Sequence, residues 1–202
     1  MLEQTDRREV RRSVRGLDFF QGFLRSPEQV GSIIPSSRFL ERRLVTAAGL
    51  AEAHQVVELG PGTGGTTRAI LAALRPDARL LSLELDATFA DLLQEIHDQR
   101  LLVHHGSAAD LAAILAEHGL PAPDAVISGI PFSTMPRSLA TAIIATIGDC
   151  LAPGGRFVAY QFRGHVGRLG APILGRPETQ MELFNIPPMR FYCWRKPAPT
   201  PD

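Results

Sequence analysis

Residues 56–65 read V-V-E-L-G-P-G-T-G-G, and no other stretch restricts the fold as much. Val56 and Val57 close a buried strand. Three alternating glycines follow, Gly60, Gly62 and Gly64, and Thr66 to Leu74 then carries helical spacing. Glycine turns the chain at positive φ and lets a ligand approach the main chain closely. A strand, a glycine turn and a helix start form a ligand-binding corner of a parallel α/β sheet.

The rest of the chain supplies the layers around that corner. Strands are expected near Gln55–Leu59, Arg79–Glu84, Leu101–His104, Ala125–Ser128 and Arg156–Phe162, with two more in 180–196 around Pro187-Pro188. Helices fill the gaps near Arg38–Ala53, Thr66–Leu74, Thr88–Gln99, Asp110–His118 and Arg137–Cys150. This alternation predicts an α/β, doubly wound, Rossmann-like fold: a seven-stranded, mostly parallel sheet with helices on both faces. A chain of 202 residues is enough for one such domain. Its two cysteines, Cys150 and Cys193, fit no metal or redox spacing, and adjacent His104 and His105 are poorly placed to share an ion, so no metal is expected.

Charge points to the ligand. Gly60, Gly62 and Gly65 also fit the dinucleotide pattern G-x-G-x-x-G. Glu58 argues against it, because an acid two residues before the first glycine repels a pyrophosphate. It suits a cationic cofactor such as S-adenosylmethionine, which carries an ammonium and a sulfonium. E-x-G-x-G-x-G resembles the first motif of class I methyltransferases, and Thr66 opens the helix behind it. Glu84, 24 residues after Gly60, ends the second strand where a carboxylate accepts ribose hydroxyls; Asp86 is its competitor. Many methyltransferases have an acid at the place of Ser107, so here Ser107, with Ala108, is expected at the adenine.

Ser128-Gly129-Ile130-Pro131-Phe132 follows the fourth strand, where the methyl acceptor lies. It resembles the N-L-P-Y signature of ribosomal-RNA adenine dimethyltransferases, but Gly129 stands for the asparagine and Phe132 for the tyrosine. Without the asparagine carbonyl an adenine amine loses its orienting hydrogen bond. An RNA acceptor is therefore disfavoured, and no DNA partner is expected.

Five pieces together resemble the bacterial phospholipid N-methyltransferases: F-F-Q-G-F-L from Phe19, V-G-S-I-I-P-S-S-R from Val30, the glycine segment, V-I-S-G-I-P-F from Val126, and N-I-P-P-M-R from Asn185. The resemblance implies a class I fold, S-adenosylmethionine as cofactor, and stepwise conversion of phosphatidylethanolamine to phosphatidylcholine at a membrane surface. It also implies that Ser32 and Ile33 fold over the cofactor's methionine part. Tyr160 and His165 are candidates for a base, with Phe132 and Ile130 desolvating the amine. Arg163 and Arg190 are candidates for the lipid phosphate, since guanidinium binds it bidentately. The alternatives are a ribosomal-RNA adenine dimethyltransferase-like enzyme, a methyltransferase of another amino-lipid such as an ornithine lipid, and a cofactor-binding protein without chemistry.

Residues 5–25 are expected to form an amphipathic helix. Arg7, Arg8, Arg11, Arg12 and Arg15 make it basic, and Phe19, Phe20 and Phe23 lie in its apolar stripe. Such a helix anchors in an anionic leaflet, at roughly 1 kcal/mol per arginine; a stripe that caps the protein's own core is the other reading. Residues 1–43 carry nine arginines against six acids, residues 44–155 five against twelve, and residues 156–196 seven basic residues against two acids. Basic flanks around an acidic middle hint at an anionic partner. No apolar run approaches the roughly 18 residues of a membrane span, and the first residues lack a signal core. The expected organisation is a membrane-binding helix over 1–30, a methyltransferase domain over 31–196 and a flexible tail over 197–202. The expected location is cytoplasmic, at the inner face of the membrane.

Overall fold

The computed structural model describes residues 38–161, 164–182 and 188–198. The amphipathic helix expected over 5–25 lies outside them, as do Ser32, Ile33 and Arg163. Seven strands form one sheet: β1 Gln55–Leu59, β2 Arg79–Glu84, β3 Leu101–His105, β4 Ala125–Ser128, β5 Arg156–Gln161, β6 Glu178–Glu182 and β7 Met189–Arg195. Their order is β3-β2-β1-β4-β5-β7-β6. The first five are parallel to one another, while β7 runs antiparallel to both β5 and β6. The fold expectation holds, and the strand order reverses at β1, which opens a crevice beyond the ends of β1 and β4.

Strands buried on both faces send alternate residues to two cores. Val57, Leu59, Leu81, Leu83, Val126 and Phe157 pack on one side. They meet α4 (Leu111–Glu117), α5 (Arg137–Cys150) and α6 (His165–Leu174) through Leu111, Ile143, Ile147 and Val166. Val56, Leu80, Ile127 and Val158 pack on the other, against α1 (Arg38–Ala48) and α2 (Gly65–Ala73) through Leu40, Leu44 and Ile70. Helix α3 spans Ala87–Gln94.

Two helices are shorter than expected. α1 stops at Ala48, not near Ala53, because Gly49 turns at φ 65° and Arg156 Nη1 donates to the Ala47 carbonyl at 3.2 Å. α3 ends five residues before Gln99. Helix α6 is an element the sequence reading missed: His165 begins a helix and does not lie in a loop.

The glycines of α6 explain its seat. A Cβ at Gly167 would come within 2.6 Å of Tyr192 Cε1, and one at Gly170 within 2.6 Å of Trp194 Cζ2. Trp194 stacks on Phe157 at 5.1 Å and donates Nε1–H to the Gly175 carbonyl at 2.9 Å. Alanine gains about 1 kcal/mol over glycine in helix propensity, but overpacking a ring costs about 1–3 kcal/mol. The clash should win, so Gly170→Ala is expected to lower the denaturant midpoint; an unchanged or raised midpoint would show that α6 is not seated on Trp194.

Candidate active site

The glycine turn sits at the crevice. Gly60, Gly62 and Gly64 take φ values of 72°, 57° and 81°. At Gly60 a Cβ would meet Ile130 Cγ1 at 3.2 Å, and at Gly64 Leu93 Cδ2 at 2.9 Å, whereas at Gly62 it would meet nothing within 4 Å. The turn is thus packed at its flanks and open at its apex.

Two buried carboxylates face this turn. Glu84 is 2 % exposed. Its Oε2 accepts from the Gly62 N–H at 2.9 Å, and its Oε1 from the N–H groups of Leu85 at 2.8 Å and Asp86 at 3.0 Å. Burial raises its pKa while those backbone donors lower it. Asp86, its sequence competitor, caps α3 instead, accepting from Thr88 N–H at 2.9 Å and Phe89 N–H at 3.2 Å.

Glu58 points toward α2. Its Oε2 accepts from the hydroxyls of Thr67 at 2.7 Å and Ser82 at 2.9 Å, while its buried Oε1 has no hydrogen-bond partner among the described residues. Burial pushes its pKa up to about 7. A carboxyl with a folded pKa above its unfolded value stabilises the fold below the unfolded value, and loses that contribution as pH rises through the folded one. The cofactor-free protein is therefore expected to lose up to about 3 kcal/mol between pH 4.5 and 7 through this one group. Unfolding midpoints at pH 5, 6, 7 and 8 check this, since Glu58→Gln should flatten the profile; parallel profiles for the two proteins would rule it out.

Beyond β4 lies the loop 129–132, where the acceptor is expected. Ser128 is buried and its Oγ accepts from Ile130 N–H at 3.2 Å. Gln161, absent from the sequence reading, is buried at the end of β5 and donates to the Ile130 carbonyl. Ile130 is 7 % exposed and Phe132 1 %. A Cβ at Gly129 would stand 2.5 Å from the Tyr160 hydroxyl and 3.2 Å from the Gly60 carbonyl oxygen. That hydroxyl lies 3.3 Å from Thr66 Oγ1. Burial, then the nearby Glu58 charge, hold Tyr160 well above the usual phenol range. Its anion is the disfavoured form, which weighs against the expected role of Tyr160 as a base.

The other expected residues are dispersed. The Ser107 Oγ caps the turn Ala108–Asp110, accepting from Ala109 N–H at 3.2 Å, and Ala108 is buried. His165 opens α6 with Nδ1 3.4 Å from Arg168 Nη2. Arg190 lies on β7, its Nη1 3.2 Å from where a Gly164 side chain would begin. Beside Phe132 is a cavity of about 340 Å³, lined also by Met135, Arg137, His165, Arg168 and Leu169. On the outer strand, His104 Nδ1 lies 2.9 Å from His118 Nε2, a pairing 14 residues apart that adjacency with His105 concealed.

The residues present fit a nucleoside-bearing sulfonium. The unpartnered Glu58 oxygen suits a cation, the open apex at Gly62 admits a ligand against the backbone, and Glu84 retains acceptor capacity for hydroxyls.

Comparison with known proteins agrees with this geometry. Residues 17–112 match the ribosomal RNA adenine dimethylase family. The chain is 36% identical over 141 residues to ornithine lipid N-methyltransferase of Singulisphaera acidiphila, covering 69% of this chain and 73% of that protein. It is 31% identical over 167 residues to ribosomal RNA small subunit methyltransferase A of Rhizobium etli, covering 75% of this chain but only 58% of that longer protein. The fold is that of Burkholderia thailandensis 1,6-didemethyltoxoflavin-N1-methyltransferase, with TM-score 0.68 at 16% identity over 93% of this chain and 90% of the other. A glycine turn between two buried carboxylates, on this sheet order and with these relatives, settles the family: the chain belongs to the class I S-adenosylmethionine-dependent methyltransferases, in the family that includes ornithine lipid N-methyltransferase.

Proposed function

We propose that this protein methylates the amine head group of phosphatidylethanolamine and its methylated derivatives at a membrane surface, making phosphatidylcholine. The observation that carries this reading is the corner where Gly129 meets the Tyr160 hydroxyl and the Gly60 carbonyl. A purine-recognising asparagine in place of Gly129 would begin 2.5 Å from the Tyr160 hydroxyl, so this corner is shaped for a small aliphatic amine. An amine of an ornithine lipid fits the same corner, and the 36% identity to an ornithine lipid N-methyltransferase supports it as a second reading.

The cofactor supplies a methyl group on an electrophilic sulfonium. The residues do the rest. Glu58 and the glycine turn hold the amino-acid end, and Glu84 the ribose. Ile130 and Phe132 exclude water from the amine. A lipid amine has a pKa of about 10 in water, and desolvation lowers it, which favours the neutral nucleophile. The Tyr160 hydroxyl stays neutral within hydrogen-bond distance of Thr66 Oγ1 and accepts an N–H of the primary or secondary amine, orienting the lone pair; the tertiary amine of the last methylation has no N–H and is positioned by packing. Residues 1–30 would bring the domain to an anionic leaflet through Arg7 to Arg15 and the three phenylalanines.

Labelled S-adenosylmethionine, offered in parallel to vesicles of phosphatidylethanolamine, vesicles of an ornithine lipid, and ribosomal RNA, tests the reading. Label in phosphatidylethanolamine is expected. Label only in the ornithine lipid would favour the second reading, and label in RNA alone would overturn both. Among the described residues no helix is long and apolar enough to cross a membrane, so binding to anionic vesicles should be reversible with salt.

A further inference from the structure

We propose that the cavity beside the acceptor loop seats the anionic group of the acceptor, held between Arg137 and Arg168. This rests on the reading of the chain as an amino-lipid methyltransferase, because it takes the cavity as the continuation of the amine corner. Phe132 makes that connection: it belongs to the acceptor loop, is 1 % exposed, and lines the cavity of about 340 Å³.

The two arginines come from different elements. Arg137 is the first residue of α5 and Arg168 lies in the first turn of α6. Neither makes an ion pair among the described residues. Arg75 and Arg100, in the same acidic stretch as Arg137, are by contrast bonded to Asp77 and Asp98. Among the described residues no carboxylate lines the cavity. Arg168 Nη2 lies 3.4 Å from His165 Nδ1, but neither guanidinium has an acidic partner among the described residues, so an anion entering the hollow meets two uncompensated positive charges. Guanidinium groups from two sides can grip a phosphate diester or a carboxylate through several charge-assisted hydrogen bonds at once.

The remaining wall is mixed. Phe132, Met135 and Leu169 supply apolar surface beside the arginines, and Ser133 and His165 supply polar groups. A hollow with cationic and apolar walls, opening off an amine corner, matches a zwitterionic amphiphile: an amine to be methylated, an anion a few bonds away, and apolar chains beyond. The shared chemistry is amine plus anion, from a phospholipid's phosphate or an amino-acid lipid's carboxylate. A long-chain amine without an anion would be a poor acceptor.

The test uses the full chain with Arg137→Gln, Arg168→Gln and the double exchange. Michaelis parameters are measured in neutral mixed micelles, which remove any pull from anionic lipid. Three acceptors are offered: phosphatidylethanolamine, an N-acyl ornithine and a long-chain alkylamine. The double variant is expected to raise KM for the anion-bearing acceptor at least about tenfold with a smaller change in kcat, at unchanged affinity for S-adenosylhomocysteine. Its preference for that acceptor over the alkylamine should largely vanish, and Arg→Lys at both sites should restore part of the loss. Whichever of the first two acceptors suffers identifies the anion as phosphate or carboxylate. An unchanged KM and unchanged preference would overturn the assignment. Direct titration with glycerophosphoethanolamine and with N-acetyl ornithine separates the two layers of inference. If the wild type methylates no lipid yet binds either compound, and the double variant does not, the functional reading fails and the anion seat stands. If the wild type binds neither and methylates no lipid, both fail.

Discussion

Gly129→Ala is expected to reduce methyl transfer by about a hundredfold or more while leaving the fold intact. The backbone at Gly129 is not in the left-handed region, so conformational strain is not the reason. The reason is space. The new methyl would sit 2.5 Å from the Tyr160 hydroxyl and 3.2 Å from the Gly60 carbonyl oxygen, closer than van der Waals contact allows on either side. Tyr160 is held in β5 and cannot swing away without breaking its contact with Thr66, and Gly60 belongs to the cofactor turn. The loop must move instead, and a shift of about 1 Å at an in-line transfer site costs on the order of 10²-fold. Tyr160→Phe should lose some activity alone, by removing the hydroxyl that orients the amine. In the Gly129→Ala background it should restore some, because the closest clash disappears; the ring carbon at 3.0 Å limits the recovery. A double-mutant cycle with a coupling energy of about 1–2 kcal/mol is the expected signature. Simple additivity of the two exchanges would mean that the hydroxyl does not define this corner.

Glu84→Gln is the second large effect. The carboxylate accepts from three backbone N–H groups, using both oxygens. A glutamine amide has one acceptor oxygen and one donor nitrogen, so at least one N–H must face another donor. If the oxygen keeps Leu85 and Asp86, the nitrogen opposes Gly62, and the open apex of the glycine turn loses its tether. Leaving a buried donor unpaired costs about 1–3 kcal/mol. The expected outcome is a fall of about a hundredfold in S-adenosylmethionine affinity by titration calorimetry, with a modest loss of thermal stability. Asp86→Ala is the informative companion. It removes the α3 cap, worth about 1 kcal/mol of stability, and should leave cofactor affinity nearly unchanged. Equal losses of affinity in both variants would mean that Glu84 has no direct part in the cofactor site.

The sheet and the glycine turn with its two buried carboxylates were legible because each rests on short-range signals. A β-branched pair before alternating glycines can hardly be anything but a strand entering a tight turn, and Glu58 and Glu84 fall at strand positions that period-two alternation locates. The acceptor side was harder to read. Helix α6 contains Gly167, Gly170 and Pro172, residues that lower helix propensity, and it exists because two aromatic faces on β7 leave room only for glycine. Once α6 is unseen, Arg168 cannot be brought beside Arg137, 31 positions earlier, and the cavity between them has no trace in the chain order. Gln161 resembled any polar residue at a strand end; only its burial against the Ile130 carbonyl gives it meaning. The phenol of Tyr160 was placed near the chemistry by strand position, but its protonation depends on burial and on the neighbouring Glu58 charge, neither of which spacing reveals.

The stack of Trp194 against Phe157 has a practical consequence. The chain holds a single tryptophan, and it lies directly under Gly170 of the helix that carries Arg168. Its indole nitrogen is bonded to Gly175, the residue at which that helix ends. Intrinsic emission excited at long wavelength therefore comes from one site, whose polarity depends on how firmly the helix is pressed down. An anion seated beside Arg168, as proposed, is expected to report itself in the native protein, with no dye and no label, as a change in the wavelength and lifetime of that one fluorophore.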